Sequence, residues 1–277
     1  MPFATPLARL AAACTLALGA VAPALAADAF PSRPITVVIP FPPGGATDVL
    51  GRVIGQKLGD TLGQTVVVEN RAGAGTIIGA SYVAKAAPDG YTVLVSSGTT
   101  FTVNPAIRNN LPYDPVKSFD PIGIAGRTGL ILLANKDVPV QTVKQFVDYV
   151  KASPDKYAYG SFGSGTTAQF AGEIVLSATG LKMTHVPYKG SAPAMTDLMG
   201  GQIPFTVDTV SAAIPQLKSG KIKAIAVTTA KRSALLPDVP TMAENGYPDI
   251  NMDTWLVLAA PKGLPADVKA KLEKALA

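Results

Sequence analysis

The chain has 277 residues, of which 48% are hydrophobic and 16% are charged, and its formal charge at pH 7 is +5. This is enough apolar material for a large core or for two lobes of ordinary domain size. The positive charge is modest and unclustered, and no run of Lys or Arg alternates with aromatic residues. The composition therefore argues against a nucleic-acid partner.

The first segment, residues 1–26, has the pattern of a secretory signal peptide. Arg9 precedes an Ala- and Leu-rich apolar run, and Ala24-Leu25-Ala26 supplies a small-x-small cleavage site. The run is too short and too rich in alanine for a stable transmembrane span. We expect export to the periplasm with cleavage near Ala26. Cys14 is the only cysteine, so the mature chain would hold no disulfide, thiolate metal site or catalytic thiol.

Strands and helices alternate after this segment. Apolar, β-branched runs at 35–41, 65–70 and 92–98 predict buried strands. Apolar residues at helical spacing between Val49 and Leu58 predict one intervening helix, and residues 76–86 predict a second, weaker one. The order predicts a βαβαβ unit with right-handed crossovers.

The same alternation restarts in the middle of the chain. The connection 104–123 contains four prolines and is predicted to cross between units rather than to be a free linker. Beyond it, "TGLILLANK" and "YAYGSF" predict strands, and "VKQFVDYVKAS" predicts an amphipathic helix. Further strands are predicted at 222–229 and 255–261. Two α/β units in one exported chain suggest two lobes.

The stretch "VVIPFPPGGATDVLGRVIG" joins the first strand to the first helix. Gly44 and Gly45 would let a ligand approach the backbone, and the unpaired N–H groups of the helix start favour an anion. Asp48 falls in the first helical turn, where it can accept backbone N–H bonds. The alternative is an ordinary tight turn capped by Thr47 or Asp48. These residues alone leave a phosphate, a catalytic oxyanion and a carboxylate open.

Motifs for nucleotide binding and for hydrolysis are missing. Neither "FPPGGATD" nor "GSFGSGTT" has the lysine of a P-loop. Gly-x-Ser-x-Gly is absent because Phe162 stands two residues before Ser164. His185 is the only histidine, so we interpret it as a structural group and predict neither a metal site nor a cofactor. Glu173 is interpreted as a solvated or ion-paired helix residue.

Small polar and glycine-rich residues follow five predicted strands, at 41–48, 96–100, 160–169, 186–193 and 205–212. In an open α/β sheet, ligands bind just beyond the carboxyl ends of the strands. These loops would form a polar pocket that tolerates anions and has no obvious reactive group. That composition favours recognition over catalysis.

The motifs from about Phe30 to the last residue resemble those of the Bug family, the extracytoplasmic solute-binding receptors of tripartite tricarboxylate transporters. The resemblance is carried by "PSRPITVVIPFPPGGATDVLGRVIGQKLGDTLGQTVVVENRAGAGTIIGASYVAKAAPDGYTVL", "VPYKGSAPAMTDLMGGQIPFTVD" and "GKIKAIAVTTAKRSALLPDVPTMAENGYPDINMDTW". It implies an α/β, two-lobed fold like the type II periplasmic-binding proteins, each lobe a mixed sheet flanked by helices. We expect residues 27–103 and 222–277 in lobe 1 and residues 104–221 in lobe 2.

The resemblance also implies a set of ligand-binding residues. In lobe 1 they are Phe41, Gly44, Gly45, Thr47, Asp48, Ser96, Ser97 and Thr99. In lobe 2 they are Ser161, Gly165, Thr166, Gln169, Tyr188, Lys189, Gly190 and Asp208. Many relatives carry a histidine where this chain has Gln169, so the choice of ligand is not transferable. Lys189 is interpreted as a solvated residue at the rim, which leaves neutral donors to hold the anion.

The prediction is therefore a non-enzymatic, monomeric receptor for a small organic carboxylate, namely a di- or tricarboxylate, an aromatic acid or an amino acid. It would deliver this solute to the integral-membrane subunits of a tripartite tricarboxylate-type transporter. Two alternatives stay open: an exported hydrolase or isomerase with Asp48 or Asp208 as base, and a degenerate member that binds nothing. Relatives continue beyond the point where this chain ends, and a missing terminal helix would leave apolar surface exposed.

Overall fold

A computed structural model of the protein describes residues 30–277, so the predicted signal segment and its cleavage site lie outside the described residues. The strands are β1 (Ile35–Ile39), β2 (Val66–Asn70), β3 (Thr92–Ser97), β4 (Phe119–Asn135), β5 (Ala158–Ser161), β6 (Thr184–Pro187), β7 (Phe205–Thr209), β8 (Ile222–Val227) and β9 (Asp253–Pro261). The helices are α1 (Ala46–Leu62), α2 (Ile77–Ala84), α3 (Asn104–Ile107), α4 (Val143–Lys151), α5 (Thr167–Thr179), α6 (Ser191–Met199), α7 (Val210–Leu217) and α8 (Ala266–Leu276). A π-helical turn spans Thr99–Val103 and a 3₁₀ turn spans Ala243–Asn245.

The strands lie in the order β2-β1-β3-β9-β4-β7-β5-β6, with β8 beside β4. Pairing is parallel within β2-β1-β3 and within β7-β5-β6, and antiparallel wherever β4 or β9 takes part. Each side of β4 thus contains both parallel and antiparallel strand pairs. Both groups of strands belong to one compact unit, Arg33–Ala277.

The long strand β4 joins the two groups of strands. Its residues from Phe119 to Gly129 pair with β9, and those from Leu130 to Asn135 pair with β7 or β8. The sequence pattern predicted only the second part, because Pro121, Gly123 and Gly126 interrupt the apolar alternation of the first part. The register with β9 shifts at these same places, between Pro121 and Gly123 and between Ile124 and Gly126.

The other predicted strands and helices are present with small shifts at their ends. The second part of β4 pairs with β7 along one edge and with β8 along the other, while β9 pairs with β3 and with the first part of β4. The lobe boundaries proposed from the sequence stay a prediction. Within residues 30–277, no helix has both the length and the apolar character that a bilayer crossing requires.

The helix α4 shows how the local sequence builds the core beneath β4 and β7. The side chain of Thr142 accepts a hydrogen bond from the N–H of Gln145 and caps the helix. Val143, Phe146, Val147 and Val150 then fall on one face and are buried, as their spacing predicts. The ring of Phe146 meets the ring of Phe205 edge to face, with centroids 5.0 Å apart.

Candidate functional site

A cavity lies where the carboxyl ends of β1, β3, β5, β6 and β7 come together, and we call it the inner cavity. It has about 30 Å³ of room for water-sized groups, within about 430 Å³ of space that no protein atom fills and that includes open solvent. Its lining residues are Phe41, Pro42, Gly45, Ala46, Thr47, Ser97, Thr128, Phe162, Thr167, Gly190, Ser191, Asp208, Thr209, Thr254 and Leu256. The location agrees with the rule that ligands bind beyond the carboxyl ends of strands.

Four helices begin at the lining of the inner cavity. They start at Gly45 before α1, at Thr167 in α5, at Gly190 and Ser191 for α6, and at Thr209 before α7. Each helix start carries a partial positive charge of roughly half a unit. Within residues 30–277, no acceptor is found for the N–H groups of Gly45, Ala46 and Thr47. No Lys or Arg is among the described lining residues, so the helix starts are the source of positive potential in that lining.

Two buried hydroxyl groups of the inner cavity have no hydrogen-bond partner in the described part of the chain. The side chains of Thr167 and Thr254 are only 2% and 3% exposed. Their Oγ1 atoms are the buried side-chain polar atoms of residues 30–277 for which no partner is found. Because burying an unpaired hydroxyl costs free energy, such groups in folded proteins normally bond to something. Thr167 and Thr254 both line the same space, so a polar group bound there would lie beside two hydroxyls that no described residue satisfies.

Asp208 is the charged side chain that lines the inner cavity, and none of the other described residues of the lining carries a charge. It is 1% exposed. The hydroxyl of Ser191 donates to its Oδ2 at 2.6 Å, and the N–H of Thr209 donates to its Oδ1 at 2.7 Å. Burial raises the pKa of Asp208 to about 6, against the opposing effect of these hydrogen bonds.

The second predicted aspartate of the loops, Asp48, has a different environment. It is buried, and it accepts hydrogen bonds from the N–H of Gly44, from Arg52 and from Asn70. Burial opposes its ionisation, but the bonds from Arg52, Gly44 and Asn70 outweigh burial and hold its pKa below the usual value. Asp48 therefore holds the β1–α1 loop in place and lines neither of the spaces described here.

A wider space, which we call the outer cleft, lies on the other side of two aromatic rings. It comprises about 1240 Å³ including solvent-open space, and its lining includes residues 72–76, Arg108 and residues 187–190. Phe41 and Phe162 line both spaces, and their rings meet edge to face with centroids 6.2 Å apart. They thus form part of the wall that separates the inner cavity from the outer cleft.

The outer cleft carries the positive side chains that the inner cavity lacks. Arg108 and Lys189 line it, and no Asp or Glu of the described chain does. Neither cation has a carboxylate within ion-pair distance among residues 30–277. An anion that approaches through the outer cleft would therefore meet two uncompensated positive charges.

The structure places the sequence-predicted residues in three groups. Phe41, Gly45, Thr47, Ser97, Gly190 and Asp208 line the inner cavity. Thr166, Tyr188 and Lys189 line the outer cleft. Gly44, Asp48, Ser96, Thr99, Ser161, Gly165 and Gln169 line neither space.

Several residues of the last group fix the walls of the inner cavity. The hydroxyl of Thr99 accepts the N–H of Thr167, and the hydroxyl of Ser96 bonds to that of Thr100. The side-chain oxygen of Gln169 accepts the N–H of Gly165. These bonds hold the end of β3 and the start of α5 in position, so the residues act behind the surface that a ligand would touch.

Ser161 and His185 form a buried pair that resembles part of a catalytic site. The Oγ of Ser161 lies 2.7 Å from the Nε2 of His185, and burial lowers the pKa of His185, which favours the neutral ring. Ser161 is 0% exposed and lines neither space. A substrate would not reach this hydroxyl, and the pair is a satisfied structural contact, as predicted for His185.

Sequence reasoning missed a set of lining residues, namely Pro42, Ala46, Thr128, Phe162, Thr167, Ser191, Thr209, Thr254 and Leu256. Thr167, Ser191 and Thr209 each lie next to a predicted residue at a helix start, so attention to helix starts would have found them. Thr128 and Thr254 lie at positions paired across β4 and β9. No turn or glycine marks these two threonines in the sequence.

The comparisons with known proteins agree with this geometry. A sequence model of the "Tripartite tricarboxylate transporter family receptor" family matches residues 50–277. Protein BugT of Bordetella pertussis is 38% identical over 249 residues, which cover 90% of this chain and 76% of BugT.

Two solved structures with bound carboxylates are also similar. Rpa4515 of R. palustris, solved with adipate, is 37% identical with a TM-score of 0.87, and the match covers 90% of this chain and 83% of that one. MatC (Rpa3494) from Rhodopseudomonas palustris, with bound malate, is 36% identical with a TM-score of 0.85, covering 89% of this chain and 84% of that one. These likenesses confirm the predicted α/β fold of the periplasmic-binding-protein type.

Proposed function

This chain belongs to the tripartite tricarboxylate transporter receptor family, and on that premise we propose that its inner cavity binds a small organic carboxylate for delivery to a membrane transporter. The family comprises periplasmic solute-binding receptors and not enzymes. The predicted resemblance to the Bug family is confirmed by the relatives that carry that name. The identity of the bound solute and the delivery to a transporter are what we propose beyond family membership.

The observation that carries the proposal is the convergence of four helix starts and two unpartnered hydroxyls on one cavity without Lys or Arg in its described lining. Backbone N–H groups and hydroxyls are the donors that a carboxylate accepts, and bonds to an ionised oxygen are stronger than neutral ones. A site built from such donors holds an anion and releases it unchanged. The adipate and malate of the two solved relatives support a dicarboxylate as the first solute to test.

We further propose that two lobes, residues 27–103 with 222–277 and residues 104–221, close on the solute. The loops after β1 and β3 would form one wall of the site, and those after β5, β6 and β7 the other. Closure excludes water and strengthens each hydrogen bond to the carboxylate. The receptor would act as a monomer in the periplasm and present the closed form to the membrane subunits.

The test is a thermal-shift screen of protein that has been exported by its own amino-terminal segment and purified from the periplasm. Mass spectrometry of this material also checks the predicted cleavage near Ala26. The panel contains adipate, malate, citrate, benzoate and aspartate, each beside an uncharged analogue. A carboxylate at a hundredfold over its dissociation constant should add about 2.7 kcal/mol of stability.

A shift with a carboxylate and none with its uncharged analogue supports the proposal. If every carboxylate leaves the melting curve unchanged while circular dichroism shows an intact fold, the chain is not a carboxylate receptor. That outcome would instead favour the degenerate, non-binding member of the family.

A further inference from the structure

Asp208 and Asp48 are both buried, but only the negative charge of Asp48 is balanced by a nearby positive side chain. Asp48 has the guanidinium of Arg52 at 3.0 Å. Asp208 has no Lys, Arg or His partner among residues 30–277, only the hydroxyl of Ser191 and the N–H and hydroxyl of Thr209. Buried charges in proteins are normally paired, because an isolated one costs several kcal/mol. The unpaired aspartate is the one that lines the inner cavity.

Asp208 also keeps acceptor capacity. An ionised carboxylate offers about four acceptor positions. Ser191 and Thr209 occupy three of them, with the hydroxyl of Thr209 at the long distance of 3.3 Å. One acceptor position of Asp208 is therefore left over, and Asp208 is a lining residue of the inner cavity. A donor bound in the cavity would therefore lie beside a carboxylate with one acceptor position that no described residue fills.

The charge of Asp208 restricts which part of a solute can lie beside it. A carboxylate of the solute would be repelled by the ionised aspartate, whereas an ammonium group would neutralise it and a hydroxyl group would donate to it. Gly45, Ala46 and Thr47, whose N–H groups can bond to a carboxylate, line the same cavity, and Gly45 lies beside Ser191, the residue that donates to Asp208. The cavity thus presents N–H donors for an anion together with the carboxylate of Asp208, which has one acceptor position that no described residue fills.

From this arrangement we infer that the bound solute carries an ammonium or hydroxyl group that donates to Asp208. The receptor then prefers amino- or hydroxy-substituted carboxylates over unsubstituted ones. This inference rests on the proposed function and narrows its solute class. The competing explanation is that Asp208 only anchors the starts of α6 and α7 through Ser191 and Thr209, in which case it has no effect on which carboxylate binds.

The test is calorimetric titration with two ligand series that differ only in one substituent. The first series is succinate, malate and aspartate, and the second is adipate, 2-hydroxyadipate and 2-aminoadipate. We expect the wild-type protein to bind a substituted member at least tenfold more tightly than the unsubstituted member of that series, as one charge-assisted hydrogen bond allows. The order of the hydroxy and amino members tells which donor the site takes.

The matched variants are Asp208→Asn and Asp120→Asn. In Asp208→Asn the new amide keeps an oxygen for the N–H of Thr209 but has no charge, so the preference for the amino member should fall about tenfold or more. Asp120 bonds to Lys262 and to the N–H groups of Gly263 and Leu264, away from the inner cavity, so its variant should keep the wild-type ratios. Circular dichroism establishes that each variant is folded.

The wild-type ratios decide the inference even if Asp208→Asn does not fold. Equal or tighter binding of the unsubstituted members overturns the inference and leaves the proposed function standing. An unchanged preference in folded Asp208→Asn overturns it as well and assigns the selectivity to other residues. If no member of either series binds, the proposed function has failed and the inference with it.

Discussion

The hydroxyl of Thr99 accepts a hydrogen bond of 3.1 Å from the backbone N–H of Thr167. This bond uses the N–H of Thr167 at the start of α5, whereas the hydroxyl of Thr167 has no partner among residues 30–277. Thr99 and Thr167 thus have separate tasks. The first positions the start of the helix, and we propose that the second offers its hydroxyl to the solute.

We predict that Thr167→Val weakens solute binding and does not destabilise the protein. Valine keeps the shape but removes one hydrogen bond to the solute, which is worth about 1 kcal/mol or roughly a fivefold change in affinity. The unliganded protein loses a buried, unsatisfied hydroxyl, so its free energy of unfolding should stay the same or rise. Calorimetric titration and urea unfolding measure the two effects.

The matched control for this prediction is Thr179→Val. The buried hydroxyl of Thr179 donates to the carbonyl of Val175 within α5. Removing it should lower stability slightly and leave affinity unchanged. A Thr167→Val protein that binds the solute as well as the wild type would remove this hydroxyl from the site.

We predict that Gly45→Val weakens binding tenfold or more, whereas Gly45→Ala weakens it only slightly. A Cβ atom at Gly45 would lie 3.6 Å from the Cβ of Ser191, which is an ordinary contact. The two additional methyl groups of valine would extend among the lining residues at the start of α1, and overpacking of this kind typically costs about 1–3 kcal/mol. We expect at least a tenfold loss of affinity for valine, measured by titration, with an unchanged circular dichroism spectrum. Equal affinities of the two variants would place the solute away from this loop.

The location of the inner cavity could be predicted from the sequence, because polar loops at the ends of parallel strands must meet at one edge of a sheet. The sequence does not reveal which residues of each loop face the cavity. Ser96 and Ser97 are neighbours in β3, yet only Ser97 lines the inner cavity, because successive strand residues point to opposite faces. The phase of that alternation depends on the packed structure.

The contribution of Thr254 shows a second limit of the sequence pattern. Its strand β9 pairs antiparallel with β3 and β4, so it reaches the cavity from the opposite chain direction. A rule built on the carboxyl ends of parallel strands does not include it. The first part of β4 escapes the sequence pattern for a local reason, since Pro121 and the glycines hide a strand that tertiary pairing imposes.

We predict that Asp208→Asn stabilises the unliganded protein at neutral pH. Burial raises the pKa of Asp208 in the folded protein to about 6, from an ordinary value of 3.8. The folded form therefore binds the proton more tightly, and this stabilisation is fully present below pH 3.8 and lost as the pH rises through 6. The difference corresponds to roughly 3 kcal/mol as an upper limit.

Urea unfolding of both proteins between about pH 4 and pH 8 measures this effect. The residues that bond to Asp208 or pair with it are Ser191 on α6, Thr209 at the end of β7 and Ile131 on β4, and none of these three side chains titrates. The difference in free energy of unfolding between Asp208→Asn and the wild type should therefore grow between about pH 4 and pH 7 and stay constant at higher pH. A gap that does not depend on pH would mean that Asp208 is not the titrating group.

The last prediction concerns the two cations of the outer cleft. We expect the double variant Arg108→Gln/Lys189→Gln to associate more slowly with an anionic solute, because uncompensated positive charge along the approach raises the encounter rate. Stopped-flow measurements at low salt should show a few-fold lower association rate constant and a nearly unchanged dissociation rate constant, since neither residue lines the inner cavity. Lys57→Gln, on α1 outside both spaces, is the control with the same chemical change. The difference should shrink as salt rises, because screening weakens steering; a change confined to the dissociation rate would instead mean that Arg108 or Lys189 contacts the bound solute.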